Sequence, residues 1–197
     1  MMKKKLILAS SSPRRKKILE EMGLEFEIIS SDYDEVLDNA TFTYEKIEEL
    51  AYNKAKSILN KELHSLFTIH HSLILSADTV VVLDGQILGK PNNKEEAIKM
   101  LKQLSGKKHS VVTSICVIDS KSLEKKLLSE TSYVEFKKLD EKLIVDYIEK
   151  RRPFDKAGSY GIQELPDGFI ANIEGSFENI IGLCPKSVEK MLAEIDL

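Results

Sequence analysis

Cysteine is nearly absent. Cys116 and Cys184 are the two in 197 residues, far apart and in no metal or redox spacing. Nothing here points to an oxidising compartment, and Cys116, set in an apolar β-like run, reads as a buried free thiol. An excess of one charge is missing too: 29 Lys and Arg face 32 Asp and Glu, a net charge of −3. That balance argues against nucleic-acid or membrane-surface binding through bulk charge, so any bound anion must be held by a local cluster. Long apolar runs are lacking as well. The opening MMKKKLILASSS imitates a secretory leader, but its apolar part, Leu6 to Ala9, falls short of the roughly 7–15 residues such a leader needs. LILSADTVVVL is broken by Asp78 and spans no membrane. A cytoplasmic protein is expected.

Several catalytic motifs are also missing. His64, His70, His71 and His109 form no HExxH or other metal spacing, and no G-x-S-x-G elbow occurs, which leaves zinc hydrolysis and serine-esterase chemistry poorly supported. No G-x-x-x-x-G-K-[ST] is present. GQILGKP (85–91) is one residue short and carries proline where a magnesium-binding hydroxyl belongs. G-x-G-x-x-G is absent too, so on motif grounds this is neither a P-loop nor a Rossmann protein.

What remains is a chain of alternating elements without repeats or long linkers. KLILA (5–9) reads as a buried strand, and Ser12-Pro13 opens a helix that stops at Gly23. FEIIS (26–30) is a second strand, followed by an acidic loop over 31–42. The clearest helix covers 43–62, where Ile47, Leu50, Ala51, Ala55, Ile58 and Leu59 form one apolar stripe. Strands are expected at 73–83, at QIL after the Asp84-Gly85 turn, at 109–119 and at 127–136. Asn93 caps a helix through Leu104, Asp140 caps another to about Glu149 that ends at Arg151-Arg152-Pro153, and a closing helix runs from Pro185 to Ile195. A glycine-rich stretch, KAGSYGIQELPDGFIANIEG, supplies loops and a strand. The fold expected is α/β: a mixed sheet flanked by helices, in one domain over 1–197, with room for two lobes and a deep cleft.

SSSPRR (10–15) is the first chemical signal. Small hydroxyl residues between a strand end and a helix N-terminus offer serine donors and backbone N–H groups backed by the helix dipole. Arg14 and Arg15 oppose that dipole by roughly 0.3–1 kcal/mol each unless a polyanion reverses the sign. Either the helix merely carries two solvated arginines, or this is a phosphate site. Lys90, after Gly89 at a strand end, places a compact cation where a phosphate could meet it; exposed turn lysines are also common. Asp78 lies among Leu75, Ala77, Val80, Val81 and Val82, where a carboxylate costs several kcal/mol unless a cation or metal partners it. It is either a structurally paired acid or a metal ligand or general base, and Asp32, Asp34 and Glu35 either offer a further ligand or form only an acidic surface loop. Lys54 falls near the middle of the apolar stripe, and either snorkels or points into a cleft.

Together these residues resemble the Maf family of nucleoside triphosphate pyrophosphatases, also called septum-formation inhibitors. The resemblance runs from about Leu6 to Leu192 through LASSSPRR (8–15), Asp34-Glu35, LAYNKAK (50–56), SADTVV (76–81), LGKP (88–91), LSGKKHSVVT (104–113), DKAGSYGIQ (155–163) and IEGSFENIIGL (173–183). It implies an inosine-triphosphatase-like architecture and cleavage of a nucleoside triphosphate to the monophosphate and pyrophosphate with a divalent metal, Mg2+ or Mn2+. It also implies that Ser10, Ser12 and Arg14 hold phosphate and that Asp78 is the catalytic carboxylate, as base, metal ligand or both. Glu35 would serve as a second metal ligand, with Lys54 and Lys90 completing the charged cleft. Arg15, Thr79 and Gln163 resemble the branch preferring dTTP and UTP, and the Gln163 amide matches the O4 and N3–H edge shared by uracil and thymine. The same chemistry on 7-methyl-GTP, a regulatory role in arresting cell division, and a homodimer remain open. Two residues depart from the family pattern: Glu164 where glycine is usual, and Cys184 inside the usual GLP turn.

Overall fold

The computed structural model describes residues 4–33, 41–63 (61–63 as backbone alone) and 72–195. Among these residues seven strands form one sheet: β1 (Lys5–Leu8), β2 (Phe26–Ile28), β3 (Ser72–Leu83), β4 (Gln86–Leu88), β5 (Lys108–Asp119), β6 (Lys125–Phe136) and β7 (Ile170–Glu174). The order is β2-β1-β3-β5-β6-β7, with β4 added to β3. β1 runs parallel to both its neighbours and every other pairing is antiparallel, the mixed sheet anticipated above.

Among the described residues six helices cover the sheet: α1 (Pro13–Glu21), α2 (Tyr44–Leu63), α3 (Lys94–Leu104), α4 (Glu141–Arg151), α5 (Phe177–Ile181) and α6 (Pro185–Glu194). Their ends obey local chemistry. Asn93 and Asp140 accept backbone N–H groups of Glu96 and Leu143 at 2.8 and 2.7 Å, and Pro13 and Pro185 sit in first turns that need no proline donor. Gly23 follows α1 at φ +70°, and Arg152 ends α4 in the left-handed region just before Pro153.

Alternation along β3 sorts the core. Leu73, Leu75 and Ala77 pack with Ile18 and Leu19 of α1 and Val188 and Met191 of α6. Farther along that face, Val81 and Leu83 meet α3 and α4 through Leu101, Leu104, Ile144 and Ile148. The opposite face belongs to α2: Ile74 meets Ala51, Ala55 and Ile58, while Val80 and Val82 meet Ile47 and Leu50. The apolar stripe of α2 therefore lies along the even-numbered face of β3. Each of the larger side chains, Val, Leu, Ile or Met, contributes about 1.5–3 kcal/mol by leaving water.

Three details differ from expectation. β2 stops at Ile28 rather than Ser30, because its partner β1 ends at Leu8 and the paired register runs out there. The glycine-rich stretch holds two 3-10 turns, 157–159 and 162–164, ahead of β7. Residues 177–181 form α5, a five-residue helix too short to show a periodic signature, capped by Ser176.

Candidate active site

A gap in strand pairing creates the site. β1 accompanies β3 only as far as Leu8 opposite Leu75, and β4 joins the same edge only from Val81. Between them, residues 76–80 of β3 border neither strand on that edge. The chain leaves β1 at Ala9, whose N–H donates to the Leu75 carbonyl at 2.7 Å, and turns at once into Ser10–Ser12 and α1. A cavity of about 350 Å³ opens there, lined among others by Ser10, Ser12, Arg14, Arg15, Lys54, Asp78, Thr79, Lys90 and Gln163. Ligand crevices of open α/β sheets commonly form at such strand ends.

Asp78 and Thr79 reach this cavity from opposite faces of one strand. Asp78 points to the α2 side, where the buried Lys54 ammonium forms a hydrogen-bonded ion pair with its Oδ1. Both members line the cavity, so the acid meets a cation without being sealed in a dry core. Of the two positions open to Lys54, the structure shows the one turned into the cleft. One turn earlier on α2, the Ala51 carbonyl accepts from Ser76 Oγ at 2.5 Å, fixing the helix against the strand that carries Asp78.

Thr79 faces α1 and α5 and sits within a polar strap. The Arg15 guanidinium donates through Nε to the Gly182 carbonyl at 3.0 Å, through one terminal nitrogen to Thr79 Oγ1 at 3.0 Å, and through the other to Ser10 Oγ at 3.2 Å. Thr79 Oγ1 lies 2.9 Å from Thr113 Oγ1, which donates to the Asn179 carbonyl at 3.0 Å. Arg15 thus ties the serine corner to β3 and to the end of α5. Arg14, its neighbour, lines the cavity too, and Ser12 caps α1 by accepting the Arg15 N–H at 3.5 Å.

The far wall comes from residues 155–164. Gly158, in the left-handed region at φ +65°, donates its N–H to the Gly89 carbonyl at 3.0 Å, docking this segment beside Lys90. Any Cβ there would meet Val81 Cγ atoms at 3.0 Å, so glycine is required both by its dihedral and by space. The buried Lys156 ammonium donates to Asp155 Oδ1 at 2.8 Å and lies 3.5 Å from Glu164 Oε2. Burial would raise the Asp155 carboxyl, but the hydrogen bond and charge of Lys156, with Arg14 nearby, hold it below its ordinary value. Tyr160, Ile162, Ile180, Val81 and Val111 make the rest of this end apolar. Behind it, Tyr160 OH lies 2.8 Å from His109 Nε2, and burial lowers His109 to about 4 despite a hydrogen bond with Lys107.

Eight of the nine positions expected to bind, react or discriminate besides Asp78 are therefore on one cavity with it; Glu35 lies outside the described residues. Asp155, Lys156, Tyr160 and Tyr33 also line it and were not singled out from sequence. The DKAGSYGIQ motif contained three of them, but a loop gives no periodicity by which to rank its members.

The family model described as Maf-like protein matches residues 5–195. The dTTP/UTP pyrophosphatase of Ruminiclostridium cellulolyticum is 42% identical over 97% of this chain and 96% of its own length. That of Caldicellulosiruptor bescii is 43% identical, over 91% of this chain and 89% of its own. A solved structure of a nucleoside-triphosphatase / dITP/XTP pyrophosphatase from Mycobacterium abscessus aligns with 96% of this chain at 14% identity and a TM-score of 0.45. With a family match across almost its whole length and relatives above 40% identity, the chain belongs to the Maf-like protein family.

Proposed function

We propose that this protein hydrolyses dTTP and UTP to the nucleoside monophosphate and pyrophosphate. The observation that carries the reading is the opening of the serine-arginine corner of α1 and the Asp78–Lys54 pair onto one cavity. The relatives named dTTP/UTP pyrophosphatase support the choice of substrate.

A triphosphate fits the charge pattern of this cavity. Ser10 and Ser12 hydroxyls, the N-terminal N–H groups of α1 and Arg14 receive phosphate oxygens on one side. Lys90 approaches from the turn after β4, and Lys54 from α2. These cations stabilise the charge that develops on the departing pyrophosphate. Asp78 takes the proton of the attacking water, and its ion pair with Lys54 fixes the carboxylate in the cleft. Pyrophosphate leaves without a covalent enzyme intermediate, so the reaction requires no Ser-His pair.

The donor set also suits a divalent cation of the Mg2+ or Mn2+ type. Among the described residues no cluster of three or more His, Cys, Asp or Glu exists. Magnesium, however, is commonly held by one or two carboxylates completed by substrate phosphates and water. Asp78 would be one carboxylate and Glu35 the second. Such an ion, when bound, neutralises phosphate charge and favours the leaving group.

The test is pyrophosphate release from dTTP in the presence of magnesium, beside a panel of UTP, dCTP and 7-methyl-GTP. Turnover concentrated on dTTP and UTP is expected, and Asp78→Asn is expected to lower kcat by at least about 10²-fold, the lower bound for a general base. Nucleotide binding without turnover in the wild type would instead make the protein a sensor, and a preference for 7-methyl-GTP would reassign the base.

A further inference from the structure

Lys156 has no part in the phosphate chemistry above, yet among the described residues it is, with Lys54, one of two buried lysines, and it lines the cavity. Its surroundings say what it can bind. Asp155 takes a hydrogen bond at 2.8 Å and Glu164 lies at 3.5 Å, so two carboxylates flank one ammonium and the trio by itself is net negative, with Arg14 near its Asp155 side. A phosphate brought to that trio meets more negative charge than positive, which costs energy at these distances. A neutral carbonyl oxygen meets no such penalty. Of the three N–H bonds of an ammonium, two at most point to the carboxylates, leaving one for a ligand.

Placement agrees with charge. The aliphatic part of Lys156 lies against Gly161, where a Cβ would come within 2.9 Å of Lys156 Cε. Gly161 in turn leads into Ile162 and Gln163, and the cavity wall here is apolar, with Tyr160, Ile162, Val111 and Ile180. That is an environment for a flat ring with polar edges and unsuited to a polyphosphate.

We propose that Lys156 is a specificity-determining residue: its ammonium, steadied by Asp155 and Glu164, donates to a ring carbonyl of the nucleobase. The inference rests on the nucleotide reading above and deepens it. A keto group accepts from Lys156, whereas an exocyclic amino group presents its own donors to a donor, so uracil and thymine are favoured over cytosine at the 4-position. Glu164 and Asp155 have a second effect, since their charge turns phosphates away from this end and sends the triphosphate toward Arg14, Lys54 and Lys90.

The test compares wild type, Lys156→Met and Glu164→Gln in kcat/KM for dTTP and dCTP, with inhibition by inorganic tripolyphosphate as the base-free probe. Lys156→Met is expected to shrink the dTTP-to-dCTP ratio roughly tenfold, the loss of about one well-made hydrogen bond. Tripolyphosphate inhibition should weaken less than twofold. Equal losses on dTTP, dCTP and tripolyphosphate would show Lys156 to be a phosphate ligand and overturn the proposal, as would an unchanged ratio. Glu164→Gln keeps the shape and removes one charge; it is expected to tighten tripolyphosphate inhibition several-fold, and no tightening overturns the charge argument even if Lys156→Met does not fold. Wild-type protein that releases no pyrophosphate from any nucleotide would sink the activity itself, whereas normal wild-type turnover with an unaltered variant ratio sinks only the role of Lys156.

Discussion

At the scale of single residues, the Asp78–Lys54 pair, proposed above to serve the chemistry, is also a liability. Removing one member of a buried ion pair strands the other and costs about 3 kcal/mol. Lys54→Met is therefore expected to lower the melting temperature by roughly 6–12 °C for a domain of this size, measured by calorimetry. The double variant Lys54→Met/Asp78→Asn should recover part of that loss, giving a coupling energy in a double-mutant cycle. His109 supplies a second residue-level expectation. Its folded value of about 4 lies below the ordinary 6.5, so the unfolded chain binds more protons between those limits. Stability should then fall as pH drops from about 6.5 toward 4, by about 3 kcal/mol at 1.36 kcal/mol per pH unit. Urea titrations of wild type and His109→Gln across that window check it: the variant, whose amide retains a partner for Tyr160 OH, should lose most of the slope. Asp78 and Lys54 were legible in the sequence because each broke an apolar pattern, one in a strand and one on a helical stripe. Lys156 broke no pattern, since its loop has none, and only the fold shows that it is buried.

At the scale of elements, the N-terminus of α1 works only if it is held against β3, and Arg15 does the holding. Its hydrogen bonds to Gly182, Thr79 and Ser10 cannot all be reproduced by a lysine, which lacks the planar fork. Arg15→Lys is expected to lower stability by about 2 kcal/mol, read as a lower urea midpoint at unchanged m-value. It should also weaken substrate binding through a displaced Ser10. The 155–164 wall depends on backbone geometry. Gly158→Ala, forced into the left-handed region against Val81, should cost roughly 1–2 kcal/mol and raise KM more than it lowers kcat. Long elements with strong periodicity, such as α2 and β3, were readable from sequence to within a residue or two. α5 and the two 3-10 turns were not, because three to five residues complete too few turns to repeat a pattern. They matter to the site out of proportion to their length, since Arg15 bonds the residue that ends α5, Lys156 precedes the first turn and Gln163 lies in the second.

At the scale of the whole molecule, one strand is the floor of the site and the centre of the sheet. β3 pairs with β5 at ten successive positions, Leu73 to Val82, while its other edge is shared between β1 and β4 with the cavity between. Alternating elements made a mixed sheet readable, but where its pairing lapses depends on strand ends, the least readable part of any sequence. No helix among the described residues is long and apolar enough to cross a membrane, and the LILSADTVVVL run is part of strand β3. The same layout divides labour between separate stretches of chain. Residues that would grip the triphosphate belong to the Ser10–Ser12 corner and α1, α2, the middle of β3 and the turn after β4, whereas the opposite side is made by one short loop docked through the Gly158 N–H on the Gly89 carbonyl. On the proposal that this loop reads the base, sequence drift in it would retune which nucleotide is accepted while the residues proposed for hydrolysis are left untouched, so new substrate preferences would be within reach of a handful of substitutions.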